Sequence, residues 1–398
     1  METDYKRNLE FIDVFFVGLG YIIGAGIYSL LNITTKHGRN YTWLSFIIGG
    51  LISLMTAFSY YDLSKLDILE TDSLEYTYVT KSISQNSVFK IIIASIIILL
   101  GITTSSTLTI AFSNLIHKFF NKQILYQLII LIVIITITLI NIYDIKFTTQ
   151  INMGVSIVEA ATLVILILLS IPYWKFNNIF GPINLTGVLY GAFLTIFAYS
   201  GFESVPKLTR KTINPRVNIP NGLMYSLIIT IILYVFTSIS TNSVLGTDKT
   251  ASLVNPLSHT FKKIMGNNSK LLVDAITLFS VFNTAMLTLL FTSSQLNEFA
   301  RDDDIKDFMP NTFRYINEYT RTPIYAILFS SILTLILCLF TNIDNITHIT
   351  SKILFILFIL INLSAIIMKY QNILKVPNTR YIYYIIGLIS STLMIIYN

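Results

Sequence analysis

The sequence predicts an all-α integral membrane protein with about eleven spanning helices, on three observations. Hydrophobic residues make up 54% of the 398 residues and the mean hydropathy is +0.69, more apolar surface than a soluble domain of this length buries. Charged residues are only 12% of the chain, and they cluster between long apolar runs, as hydrocarbon that excludes charge requires. Those runs are continuous and lack the period-2 alternation of a transmembrane β-barrel.

Crossing about 30 Å of hydrocarbon takes roughly 20 helical residues, and a helix satisfies its own backbone groups in lipid. By that rule the spans run from Phe11 to Leu31, Tyr41 to Asp62, Val88 to Ile116, Ile124 to Tyr143, Ile151 to Tyr173 and Thr186 to Lys207. The others run from Ile219 to Ser240, Leu271 to Phe299, Pro323 to Phe340, Ile349 to Met368 and Tyr381 to Tyr397. Met1 to Glu10 is polar and no small-residue cleavage site follows, so the first run reads as a retained helix. Lys65, Lys81, Arg210, Lys211, Arg301, Arg314, Lys369 and Lys375 share the side of the N-terminus, and basic residues there outnumber those opposite, such as Lys36, Arg39, Lys175 and Lys249. The positive-inside rule then places the N-terminus in the cytoplasm.

Several function classes fall away. The net charge of +6 comes without a basic stripe interleaved with aromatics, so nucleic acid is not a partner; the lipid bilayer is. Cys338 is the only cysteine, which excludes an intrachain disulfide and a cysteine metal site. His37, His117, His259 and His348 fall in or near loops without metal spacing. No ATP-binding loop occurs, and Gly18, Gly20 and Gly24 give GxGxxxG with no preceding strand rather than a dinucleotide fingerprint. No cofactor is implied, and a membrane enzyme lacks a nucleophile-base arrangement.

Two spans carry interruptions. The first reads GLGYIIGAGIY, and each glycine costs about 1 kcal/mol relative to alanine in a helix interior. Close packing is one explanation, with Gly20 and Gly24 forming a GxxxG face. The other is unwinding around Gly24, Ala25 and Gly26, which frees main-chain groups for a ligand. The sixth span reads FAYSGFESVPKLTRK, where Ser200, Gly201, Glu203 and Pro206 interrupt an apolar helix. In lipid a broken backbone is tolerated only where it lines a cavity. Paired interruptions in the first and sixth helices point to an inverted-repeat transporter, with unwound segments meeting near the midplane. Half-helix ends there suit a carboxylate and an ammonium, the two groups of a zwitterionic amino acid.

Three blocks then resemble the amino acid-polyamine-organocation transporter superfamily: GLGYIIGAGIY, FAYSGFESV followed by NPRVNIP, and FARDDDIKDFMP followed by RTP. They run in order from about Phe11 to Met368, and TTSSTLTIAFSNLI faintly resembles cationic amino acid transporters. The resemblance implies an inverted-repeat bundle of ten core helices, the bacterial leucine transporter fold, plus one further helix. It implies a first repeat over 11–173, a second over 186–368 and an extra helix over 381–397, all one transmembrane domain. Carried over, Ile23, Gly24, Ala25 and Gly26 would bind a substrate carboxylate through their main chain. Phe197, Ala198 and Ser200, around Gly201, would take the amine, and Phe197, Tyr199 and Phe202 would wall the pocket. Where relatives carry two acidic residues after the sixth helix, this chain has Arg210 and Lys211.

Glu159 lies well inside the fifth span, and a carboxylate there costs several kcal/mol unless neutralised, paired or hydrated. It falls where many proton-coupled relatives place a lysine. It is a candidate proton carrier, or a site for an inorganic cation such as sodium beside Ser280, Asn283 and Thr284; a hydrogen-bonded neutral acid between helices is the plainer reading. Glu203, a candidate coupling or gating residue, either titrates with pH, contacts a cationic substrate, or caps the half-helix that follows it. The sequence thus points to a secondary transporter of amino acids or related small cationic or zwitterionic solutes, with a polyamine carrier and a non-transporting sensor as alternatives.

Overall fold

A computed structural model describes residues 7–66, 73–119, 125–143 and 145–397, with the main chain alone at residues 25, 29, 118–119, 145–149, 344 and 397. The helices are α1 (Phe11–Gly38), α2 (Thr42–Leu63), α3 (Leu74–Ser82), α4 (Ser87–Phe119), α5 (Tyr126–Tyr143), α6 (Ile145–Ser170), α7 (Phe176–Ile179) and α8 (Leu185–Ala198). They continue as α9 (Pro215–Leu245), α10 (Thr247–Ser252), α11 (Pro256–Met265), α12 (Asn267–Phe299), α13 (Ile324–Phe340), α14 (Ile343–Tyr370) and α15 (Arg380–Tyr397). A 3-10 segment, Phe202–Lys211, follows α8.

Among the described residues nine segments are long and apolar enough to cross a bilayer, and two shorter apolar helices, Ile324–Phe340 and Arg380–Ile396, stand at the ninth and eleventh expected spans. The expected start of the fourth span, Ile124, lies outside the described residues. Outward faces carry bare aliphatic side chains, such as Ile132, Ile135 and Leu139 on α5 and Ile157, Ile165 and Leu168 on α6. That is the surface hydrocarbon requires. Polar caps start the helices where the chain turns: Asp13 accepts from the Glu10 amide (2.8 Å), and Asn184 from the Gly187 amide (3.1 Å).

The central rod is α1, packed on α2, α6, α8, α9 and α12. It differs from expectation in two ways. It runs on past Leu31 to Gly38, because the polar stretch from Asn32 to His37 continues the helix beyond the apolar run. And it is helical through Gly24, Ala25 and Gly26, so the main chain is not opened there. Its glycines are sites of close approach. A Cβ on Gly20 would strike Ser156, one on Gly24 would strike Thr284, and one on Gly26 would strike the Ala198 carbonyl oxygen and the Tyr234 hydroxyl.

At the end of the bundle that carries the N-terminus, the Asn8 and Leu9 amides donate to the Lys211 carbonyl (3.0 Å each) and the Ile213 amide donates to the Leu9 carbonyl (2.8 Å). This main-chain strap ties the start of α1 to the exit of the 3-10 segment. Because backbone groups make it, the basic pair Arg210 and Lys211 stands there without disturbing it. At the opposite end Asn40 donates to the Asn177 carbonyl (2.9 Å) and Trp43 to the Ile179 carbonyl (3.3 Å), seating α7 over the bundle.

Candidate functional site

The sixth apolar segment is broken as expected. α8 stops at Ala198, and Gly201 sits at φ +123°, a backbone conformation that side-chain-bearing residues rarely adopt. Ser200 folds back, its amide and hydroxyl both donating to the Phe197 carbonyl (3.1 and 2.7 Å). The Glu203 carboxylate, in the first turn of the 3-10 segment, accepts from the Gly201 amide just before it (2.6 Å). The break is held against α1: Gly26 rests on Ala198, and Gly201 faces Tyr21 and Ile22. The segments expected to share a substrate therefore do meet, with their main chains in contact.

Aromatic side chains close both flanks. Tyr199 is fully buried, donates to the Phe46 carbonyl (3.0 Å) and stacks on Tyr234 at 5.2 Å. Phe202 stacks on Phe358 at 5.5 Å and meets Tyr60 edge-on at 5.7 Å. Phe197 is only half-buried. Of Ala25 only the main chain is described; Ile23 is fully buried.

Beside α1 lies a second group. Glu159 on α6 is 0% exposed, as is Ser280 on α12, and Asn283 and Thr284 are buried with them. The Ser280 hydroxyl adjoins the Glu159 carboxyl but gives its hydrogen to the Gly24 carbonyl (2.9 Å). Both Glu159 carboxyl oxygens thus lack a hydrogen-bond partner among the described residues, as does the neighbouring Tyr28 hydroxyl. Asn283 donates to the Asn152 side chain (2.8 Å), leaving its own carbonyl oxygen unpartnered. Thr284 bonds back to the Ser280 carbonyl (3.0 Å). A buried carboxyl with the Ser280 and Tyr28 hydroxyls beside it is a group able to take up a proton, while Asn283 is seated against Asn152, two turns along α6.

Glu203 belongs to a different cluster. Glu75 on α3 is 2% exposed, and burial raises its carboxyl above the ordinary range against the opposing pull of Lys207. Tyr60 donates to it (3.2 Å). Lys207, itself buried, acts electrostatically on both Glu75 and Glu203 and lies 6.0 Å from the Phe291 ring. Sequence reading missed Glu75, Tyr60 and Lys207 as a unit. The available signal was a lysine within an apolar span.

Tyr234 was missed as well. Its hydroxyl donates to the Ile22 carbonyl (2.9 Å), just as Ser280 donates to that of Gly24. Two α1 carbonyls at the glycine stretch thus hold donors from other helices. Tyr234→Phe is expected to cost about 1 kcal/mol, read as a lower midpoint of thermal unfolding in detergent. An unchanged midpoint would show that this bond contributes nothing.

A many-spanning helical bundle whose central rod meets a broken helix, with a buried carboxyl alongside, defines a membrane transporter rather than an enzyme. Residues 9–398 match the family model described as amino acid permease. The chain belongs to the amino acid permease family, within the amino acid-polyamine-organocation superfamily.

Its relatives include the methylthioribose transporter of Bacillus subtilis (strain 168), 23% identical over 92% of this chain and 82% of that one. The branched-chain amino acid permease BcaP of the same organism matches at the same identity and coverage. Cationic amino acid transporter 7, chloroplastic, of Arabidopsis thaliana is 23% identical over 92% of this chain and 66% of its own length. Among solved structures, Mhp1, a nucleobase-cation-symport-1 family transporter in a closed conformation with bromovinylhydantoin bound, superposes with a TM-score of 0.63 at 13% identity. That match covers 99% of this chain and 93% of that one. The likeness shows the fold, the inverted-repeat bundle that the resemblance implied.

Proposed function

We propose that the protein is a secondary active transporter of amino acids that works by alternating access, with 11–173 and 186–368 as its inverted repeats, 381–397 as an added helix, and its N-terminus in the cytoplasm. The observation that carries this reading is the end of α8 at Ala198 against Gly26 of α1, deep in the bundle. The Ala198 carbonyl, at the helix end where partial negative charge gathers, suits a substrate ammonium, the Phe197 carbonyl being taken by Ser200. The carboxylate is taken by the α1 main chain around Ile23, Gly24, Ala25 and Gly26 once that stretch separates from Thr284 and Ala198 and unwinds. Tyr234 and Ser280 support such opening, since their hydroxyls keep the Ile22 and Gly24 carbonyls satisfied when helical bonds are lost. Glu159, with Ser280, Asn283 and Thr284, carries the coupling proton or sodium. Relatives described as carriers of branched-chain and cationic amino acids favour an amino acid over a polyamine.

One observation favours a second reading, a sensor that keeps the fold without transporting: α1 is unbroken. Uptake into proteoliposomes decides between them, using labelled amino acids and polyamines with proton and sodium gradients varied separately. Gradient-dependent uptake of an amino acid is the expected result. A correctly inserted protein that moves no member of the panel supports the sensor.

A further inference from the structure

Away from the central site, the end of α14, the start of α15 and the turn between them form an open-sided hollow of about 570 Å³ lined by Lys369, Asn372, Lys375, Asn378 and Tyr381. Its depth in the membrane follows from α15. Eighteen residues make a helix about 27 Å long, slightly less than the ~30 Å hydrocarbon layer. With α15 spanning the layer, Arg380, its first residue, stands near the hydrocarbon boundary and the turn just before it near the lipid headgroups.

Among the described residues the charge around the hollow is positive. Lys369 is buried; its ammonium donates to the Val376 carbonyl and lies 5.0 Å from the Tyr381 ring, leaving two further donors. Lys375 is exposed and pairs with no acid among the described residues. Arg380 and Lys65 flank the site, Arg380 over the Phe58 ring at 4.5 Å and Lys65 over the Tyr61 ring at 3.9 Å. The neighbouring acid is Asp62, 2% exposed, which accepts from the Tyr384 hydroxyl (2.6 Å) and pairs with Arg380 at 3.4 Å. Among the described residues one acid stands against four cations. The first amides of α15 are already used, those of Arg380 and Tyr381 bonding the Pro377 and Asn378 carbonyls. An anion must therefore be held by side chains.

We propose that this hollow binds the phosphate of an anionic phospholipid, with Lys369 and Lys375 supplying charge and Asn372 and Asn378 neutral donors. Basic pockets between helix ends at a membrane surface recognise such headgroups. A free phosphate offers the same chemistry, but the depth of the turn favours the lipid. Because Arg380 also holds Asp62 at the end of α2, a bound lipid braces α15 against a helix that packs on α8 and α9. The inference does not depend on which solute is carried.

The test is thermal unfolding of the purified full chain in detergent with added phosphatidylglycerol, phosphatidylcholine or sodium phosphate. Phosphatidylglycerol alone is expected to raise the midpoint. Lys369→Gln combined with Lys375→Gln should weaken its binding about 30-fold, the equivalent of ~1 kcal/mol for each lysine. Lys249→Gln, at the opposite end, should bind as the parent does. An equal shift with sodium phosphate, an equal loss in the Lys249 variant, or undiminished binding in the double variant would each overturn the proposal. Should the double variant fail to fold, Lys375→Gln alone removes an exposed side chain and is expected to lose about fivefold; parental affinity there overturns the proposal equally.

Discussion

Gly26→Leu is expected to reduce uptake to background while the protein still reaches the membrane in normal amount. Insertion is spared because leucine makes the first span more apolar. Function is not, because a side chain at this position meets the Ala198 carbonyl oxygen, a main-chain atom that cannot rotate aside, and the Tyr234 hydroxyl. Overpacking of this kind costs about 1–3 kcal/mol even where neighbours yield. Here it also wedges α1 away from the end of α8, where the substrate head is proposed to bind. Gly154→Ala on α6 is the comparison: a side chain there meets nothing within 4 Å, so uptake should survive. Ordinary uptake by Gly26→Leu would mean that α1 and α8 do not form the site together.

Glu159→Gln is expected to abolish uphill accumulation and leave only exchange down the solute gradient. The substitution keeps size and shape but cannot gain or lose a charge, and the parent carboxyl has no hydrogen-bond partner among the described residues whose loss would confuse the result. Moving one elementary charge through ~100 mV supplies about 2.3 kcal/mol, or about 50-fold accumulation. That factor is what the variant should lose. Counterflow of labelled against unlabelled solute should continue, which separates a coupling defect from a broken site. If accumulation and its response to proton and sodium gradients are unchanged, coupling resides elsewhere.

Much of the architecture was legible because lipid leaves few alternatives: an apolar run of the right length becomes a helix, and the break at Ser200 and Gly201 is announced by a glycine and a following proline. The short helices α3, α7, α10 and α11 were not anticipated, since four to ten residues carry too little periodicity. The first helix shows a deeper limit. Tight packing and an opened main chain both demand glycine, so Gly24 and Gly26 could not say which they serve, and α1 proves to be packed and continuous. The Glu75, Lys207 and Tyr60 cluster was hidden for another reason, because distant parts of the chain meet there only after folding. Glu159 was readable alone, since a carboxyl amid aliphatic residues stands out without knowledge of its neighbours.

The glycines of α1 share one property beyond their size: the first atom a side chain would meet at Gly18, Gly20, Gly24 and Gly26 is an oxygen, of Ser226, Ser156, Thr284 and Ala198 in turn. Those oxygens belong to α9, α6, α12 and α8, so the glycines do not form one face but open the rod to four neighbours at once. Each neighbour reaches the α1 backbone itself rather than a layer of side chains, and any displacement among the four is therefore felt directly by the main chain of the central helix.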